Sequence, residues 1–264
     1  MSDRVLAPFG RRAARVIARE QHGAYVVLRC ADPVGPRPRA GQFYMLATAT
    51  RWGGGEAERP FLPRAFSVLR APVGTRELHF LIEDVGPGTK RLAEARPDDA
   101  LMIVGPLGNG FSAPDPGRAP LLVGGGVGIA PLAIWQDEIG CTPQPLLGFR
   151  DRERAQGATL LRDPNVATDD GSVGHHGFVT DLLRAELHEA GHTVCACGPP
   201  PMLEAVRMLC AEYETPAQLA LESGMACGFG ACFGCVVATR DGYIRLCTDG
   251  PVLAADRLEA VAAH

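Results

Sequence analysis

Four cysteines packed into 21 residues constrain this chain more than any other feature. They are Cys227, Cys232, Cys235 and Cys247, spaced C-x4-C-x2-C-x11-C. The first three have the spacing that holds a [2Fe–2S] cluster, in which two irons each need two thiolates and one tight loop supplies three of the four. Gly228, Gly230 and Gly234 let the backbone wrap closely, so that amide N–H groups can point at the sulfurs. The alternative is a structural zinc site with four cysteine ligands, which ordinarily uses two short C-x2-C knuckles. The chain has nine cysteines, an odd number, and its opening residues MSDRVLAPFGRRAARV lack the apolar stretch of a signal peptide. A disulfide framework is therefore not expected, and a cytoplasmic location is. Cys30, Cys141 and Cys210 read as small core residues.

The rest of the chain divides by pattern. Length alone, 264 residues, predicts about two domains. Residues 12 to about 112 read as β-rich, with short apolar or alternating runs at 24–30, 42–48, 65–71, 77–84 and 99–105 between Pro/Gly-rich turns. That spacing predicts a sandwich or small barrel, with one helix over 89–95. SAPDPGRAP (112–120) reads as a linker. Beyond it strands alternate with helices: PLLVGGG, then IAPLAIWQDEIG, QPLLGF, VTDLLRAELHEAG, HTVCACG and PPMLEAVRMLCAEYE. This alternation predicts a parallel α/β sheet. The expected boundaries are 1–115, 116–215 and 216–264, the last segment being too small to build a core of its own. The formal net charge of −4 offers no basic field for nucleic acid or an anionic membrane. The longest uncharged stretch, 120–136, is shorter than the ~20 residues of a spanning helix.

Four further motifs bear on chemistry. Arg64-Ala65-Phe66-Ser67 is an R-x-[YF]-S strand, whose guanidinium fork suits phosphate oxygens. Gly86-Pro87-Gly88-Thr89 opens a short helix and reads either as an anion-binding turn or as an ordinary turn with Thr89 as its cap. Gly124-Gly125-Gly126-Val127-Gly128 joins a strand to a helix, as a phosphate-binding turn or simply a tight βα turn. Cys197-Gly198-Pro199 ends a late strand, where a nicotinamide could lie.

Taken in order, R-x-[YF]-S, Gly-Thr, GGGxGxxP and CGPxxM resemble the ferredoxin–NADP reductase superfamily. The ending MACGFGACFGC…CTDGPV, 225–252, and GPLGNGF, 105–111, are similar to one branch of it, the electron transfer subunits of type B dihydroorotate dehydrogenases. The resemblance covers about 12–255. It implies a multi-domain β plus α/β architecture: an antiparallel flavin-binding β-barrel, a central parallel nucleotide-binding domain and a small C-terminal [2Fe–2S] segment. It also implies an oxidoreductase subunit with FAD, a [2Fe–2S] cluster and NAD, NADP being left open. The implied partner is an FMN-containing catalytic subunit, in a heterotetramer that passes electrons from dihydroorotate to NAD+.

Residue by residue, the resemblance assigns cluster ligation to Cys227, Cys232, Cys235 and Cys247. It assigns FAD contacts to Arg64, Ala65, Phe66, Ser67, Ile82, Glu83, Asp84, Gly88 and Thr89. The nicotinamide side is Gly124, Gly125, Gly126, Gly128, Cys197 and Gly198. Ser67 near flavin N5 and Cys197 near the hydride position are the catalytic candidates. Glu83 and Asp84 are a departure, because two acids beside a pyrophosphate are unfavourable unless they point away. Trp52-Gly53-Gly54-Gly55 is a second, an insertion before the flavin strand. Arg150 and Arg152 could meet a 2′-phosphate. Two competing readings keep part of this scheme: a similar subunit serving a hydrogenase or ferredoxin-dependent reductase, and a non-enzymatic redox sensor on a degenerate scaffold. No motif suggests a base for dihydroorotate, which is what a subunit working with a partner requires.

Overall fold

The protein is described from a computed structural model, covering residues 10–50, 52, 60–141, 143–189 and 191–261. Gly53, Gly54 and Gly55 of the insertion lie outside the described residues. Six strands form a closed antiparallel barrel: β1 (Arg12–His22), β2 (Tyr25–Ala31), β3 (Phe43–Thr48), β4 (Arg64–Arg70), β5 (Glu77–Glu83) and β6 (Ala100–Leu107), in the order β1-β2-β5-β4-β3-β6. Helix α1 (Pro87–Ala93) spans β5 to β6. The expected strands at 24–30, 42–48, 65–71, 77–84 and 99–105 are all present. The sixth, β1, escapes a sequence reading because arginines interrupt its short, mostly small apolar residues; only Ala14 and Val16 are buried. Closure nevertheless depends on it, since β1 pairs with both β2 and β6.

The second unit is a seven-stranded sheet. Its elements are β7 (Ala119–Gly125), α2 (Ala130–Glu138), β8 (Gln144–Phe149), α3 (Arg152–Ala155), β9 (Asn165–Thr168), β10 (His175–His176), α4 (Val179–Glu186), β11 (His192–Cys197), α5 (Pro200–Glu212) and β12 (Ala217–Ala220). After them come the hairpin β13 (Val236–Thr239) and β14 (Gly242–Arg245), then α6 (Leu246–Asp249) and β15 (Val252–Ala254). The sheet order is β10-β9-β8-β7-β11-β12-β15, parallel except for the last pair. Two strands beyond Thr215, β12 and β15, thus complete the central sheet. The cysteine loop hangs between them, with the β13–β14 hairpin and the short helix α6 as structure of its own. Among the described residues no helix is long and apolar enough to cross a membrane.

Barrel and sheet are joined by ion pairs and packing. Arg154 of α3 holds Glu83 of β5 at 2.8 Å and Asp151 at 2.6 Å. Asp137 of α2 pairs with Arg70 of β4, and Glu138 accepts the Ala40 N–H at 3.0 Å. Phe111, just after the barrel, stacks on Trp135 of α2 with ring centres 6.0 Å apart. These contacts fix the ends of β7, β8 and β11 against the barrel face that carries β4.

Candidate functional site

Two cavities open where the barrel meets the sheet. One, about 450 Å³, is lined on the barrel side by Arg64, Ala65, Phe66, Ser67 and Thr89, and on the other by 221–225. Antiparallel pairing sets this wall: Ser67 lies opposite Phe43, and Arg64 opposite Leu46. Gly88 completes it from behind. A side chain there would come within 2.7 Å of the Arg64 guanidinium, so glycine lets the α1 turn close over that arginine. Arg64 also lies over the Trp52 ring at 5.9 Å, and Trp52 itself packs against the barrel core. The Thr89 hydroxyl is used locally: it accepts from the Val85 N–H at 2.9 Å and donates to Gly86 at 3.0 Å. The fit to a flavin lies in this donor set, a cation, a hydroxyl and an aromatic ring on one wall.

Ile82, Glu83 and Asp84 do not join that wall. Ile82 is fully buried in the barrel, and Leu81 lines the cavity in its place. Glu83 faces the second cavity and is neutralised by Arg154, while Asp84 lines neither. Strand alternation turns Ile82 away from the face of Leu81, and the ion pair with Arg154 draws the Glu83 carboxylate toward the second cavity. The two acids therefore do not oppose an anion bound at Arg64.

The second cavity, about 670 Å³, lies at the carboxyl ends of β7, β8 and β11, the usual crevice of an open α/β sheet. Gly125, Gly126, Gly128 and Gly198 line it; Gly124 sits beneath, packed against Leu132, Ile129 and Leu147. Gly128 is required by close approach. A methyl there would lie 2.4 Å from the Cys197 carbonyl oxygen. Arg150 lines this cavity with no ion-pair partner among the described residues, whereas Arg152 donates to Ser172 at 2.6 Å and stays outside. The fit to a dinucleotide lies in a glycine-rich turn, with only Val127 carrying a side chain, beside a cation.

Cys197 lines neither cavity. Its thiol is buried beneath the glycine turn, and desolvation, with the charge of Glu222, pushes it well above the usual range. Glu222 was not legible as a site residue, having no motif around it. It nevertheless lines both cavities, together with Val127 and Gly128. Its side chain projects into open cavity space between surrounding protein, and that enclosure raises its carboxyl above the ordinary value. Two more residues were missed. Asp169 follows a strand too short to read, and Tyr25 is a barrel residue on the floor of the second cavity whose hydroxyl has no partner among the described residues.

The four cysteines come together as two pairs. Cys227 and Cys232 are within hydrogen-bonding reach of each other, as are Cys235 and Cys247. Among the described residues no three His, Cys, Asp or Glu side chains converge on a single ion. Backbone N–H groups face the sulfurs: Gly230 to Cys247 at 3.1 Å, Ala231 to Cys227 at 3.3 Å, Gly234 to Cys232 at 3.4 Å and Cys247 to Cys235 at 3.5 Å. Burial alone would raise the Cys227 thiol, but the N–H groups of Phe229, Cys232 and Ala231 and the Cys232 side chain outweigh it and bring it to about 7. Cys247 is pushed up to about 12 by desolvation and by Cys235 beside it. Gly228, at φ +81, leaves no room for a side chain against Met45 and Leu107, so the loop sits directly on β3 and β6. Asn109 of the GPLGNGF segment ties the other end, donating to Gly250 and Thr248 around α6.

Comparison with known proteins agrees with this layout. Residues 222–259 match the family model for the iron–sulfur cluster binding domain of dihydroorotate dehydrogenase B. The chain is 34% identical over 254 residues to the dihydroorotate dehydrogenase B (NAD(+)) electron transfer subunit of Caldanaerobacter subterraneus subsp. tengcongensis, covering 93% of this chain and 97% of that one. It is 38% identical over 207 residues to the same subunit of a Geobacillus species, covering 74% and 79%. Among solved structures, a chain of the NADH-dependent reduced ferredoxin-NADP oxidoreductase superposes with a TM-score of 0.79 at 25% identity, over 96% of this chain and 92% of that one. A ferredoxin NADP+ reductase from Neisseria gonorrhoeae shares the fold, with a TM-score of 0.60 at 18% identity over 76% and 91%.

Proposed function

The chain belongs to the family of dihydroorotate dehydrogenase B electron transfer subunits, and on that premise we propose how its residues serve that function. It passes electrons from a catalytic partner through a [2Fe–2S] cluster and FAD to NAD+. When bound, the flavin exchanges electron pairs with the nicotinamide, and the cluster carries electrons singly. We propose that the partner carries FMN and oxidises dihydroorotate to orotate, and that the two chains assemble as a heterotetramer in the cytoplasm.

The observation that carries this reading is the contiguity of the three sites. The two cavities share Val127, Gly128 and Glu222. Residues 221–225, which lead into the cysteine loop, form the far wall of the first cavity. Cys227, Cys232, Cys235 and Cys247 hold the cluster. Arg64, Ala65, Phe66, Ser67 and Thr89, with Gly88 behind them, hold the FAD. Gly125, Gly126, Gly128 and Gly198 cradle the dinucleotide, with Gly124 and Cys197 beneath. Ser67 would offer its hydroxyl to the bound flavin, and Cys197 would support the glycine turn from beneath. Asp169 lines the same cavity near Arg150, and an acid at this end of the sheet suits a free ribose 2′-hydroxyl and repels a 2′-phosphate. Arg150 in the same cavity offsets that repulsion, and NAD is favoured by the NAD(+)-dependent relatives.

The test is to co-express the chain with its catalytic subunit. Dihydroorotate should reduce NAD+ only when both are present, and the chain alone should oxidise NADH with an artificial acceptor. Absence of orotate formation, with ferredoxin-linked NADH oxidation instead, would favour the second reading. That reading, a subunit of another redox complex, draws support from the superposition on the ferredoxin-NADP oxidoreductase chain.

A further inference from the structure

Arg245, at the end of β14, is the one cation gripping the cysteine loop among the described residues. Its guanidinium donates to the Gly230 carbonyl at 3.1 Å and lies over the Phe233 ring at 5.5 Å. Its backbone N–H donates to Asp249 at 3.0 Å, and its Nε stands 3.8 Å from the same carboxylate. Gly230, at φ +85, leaves its backbone exposed to this grip, since a side chain there would press on Thr248 and the guanidinium.

The peptide between Gly230 and Ala231 is therefore held at both ends. Its carbonyl accepts from Arg245, and its N–H donates to Cys227. The preceding N–H, of Gly230 itself, donates to Cys247. One guanidinium thus fixes a residue whose two flanking N–H groups reach one sulfur in each cysteine pair. Hydrogen bonds chained in this way polarise one another, and a bond from a charged donor is stronger than a neutral one.

We propose that Arg245 is a positioning residue for the iron–sulfur centre: it aims the Gly230 and Ala231 N–H groups at the ligand sulfurs and places a positive charge beside the loop, and both effects raise the centre's one-electron potential. This rests on the reading of the four cysteines as cluster ligands. Reduction adds a negative charge, which N–H donors and nearby cations favour. Asp249 partly offsets the cation, and about a third of each side chain is exposed, so the effect is moderate. Phe233, whose ring the guanidinium covers, is a non-glycine residue at φ +58.

The test is a redox titration of the purified chain, followed by electron paramagnetic resonance for the cluster and by absorbance for the flavin, with iron and sulfide assayed throughout. Arg245→Met should lower the cluster potential by a shift equivalent to about threefold to tenfold in the one-electron equilibrium, tenfold being about 59 mV. Arg245→Lys should recover part of it. Asp249→Asn, which leaves the cation uncompensated, should shift the potential the opposite way. An unchanged potential in either variant with full iron content, or an equal shift in the flavin, would overturn the proposal. If Arg245→Met loses iron, Asp249→Asn decides: a raised potential supports the proposal and any other result sinks it. Wild-type protein without iron or a cluster signal would instead overturn the cluster reading itself.

Discussion

The cysteine loop and the paired cavities are built in opposite ways. In the loop, chemistry and scaffold are one stretch of chain. Ala231 and Gly234 donate to cysteines four and two residues away, and positive-φ glycines set the curvature. The cavities draw on β4, the α1 turn, the β7 turn, β8, β11 and the 221–225 segment, brought together only by folding. A site encoded locally can be lost without disturbing the rest of the fold. A site assembled from distant segments cannot be altered at its closest contact without strain in the elements that meet there.

Cys232→Ser gives the largest expected effect. It should abolish NAD+ reduction from dihydroorotate, a loss of at least about 100-fold, while FAD content and NADH oxidation with an artificial acceptor survive. Iron assay and steady-state rates check this. A normal dihydroorotate rate would break the electron path. Gly128→Ala tests the opposite case. Its methyl would meet the Cys197 carbonyl, so backbone must move. Stability should fall by about 1–3 kcal/mol in denaturant, and the NADH KM should rise, with iron content unchanged.

Asp169→Ser should narrow the preference for NADH over NADPH by about tenfold in kcat/KM, as differential repulsion of a 2′-phosphate is relieved. An unchanged ratio would remove Asp169 from that role. Ser67→Ala should slow flavin reduction by NADH about fivefold, the worth of one hydrogen bond, and weaken FAD binding less. Stopped-flow absorbance reads the first, and flavin retention on dialysis the second.

The smallest effect is a pH dependence. Glu222 has its folded pKa raised by desolvation, so the native state holds a proton that the unfolded chain gives up. Native stability should therefore fall as pH rises from the ordinary glutamate value through the raised one. Glu222→Gln should flatten that slope and leave low-pH stability alone. Equal slopes in denaturant melts across this window would show that the carboxyl is well solvated in the cavity.

Most barrel strands and the β7, β8 and β11 elements were legible because apolar residues recur in long runs between Gly and Pro. Strand β1 was not, since only Ala14 and Val16 reach the core and arginines interrupt the rest. Strands β9, β12 and β15, of three or four residues, carry too few side chains for a period to show. Arg64–Ser67 and Thr89 were legible through motifs, whereas which side chains of Ile82–Asp84 face a cavity was not, because it depends on the ion pair with Arg154 far along the chain. Glu222, Asp169 and Tyr25 had no local signature, because each matters through neighbours far away in the chain.

By itself the sequence determined the cofactor chemistry, since thiolate spacing, glycine turns and an R-x-[YF]-S strand are local requirements written within a few residues. Only the tertiary structure decided that the two cavities meet at Gly128 and Glu222, that Glu83 turns away from Arg64, and that β12 and β15 close the central sheet around the cysteine loop. Those relations depend on long-range packing and on which face each strand presents, and no local pattern carries that information.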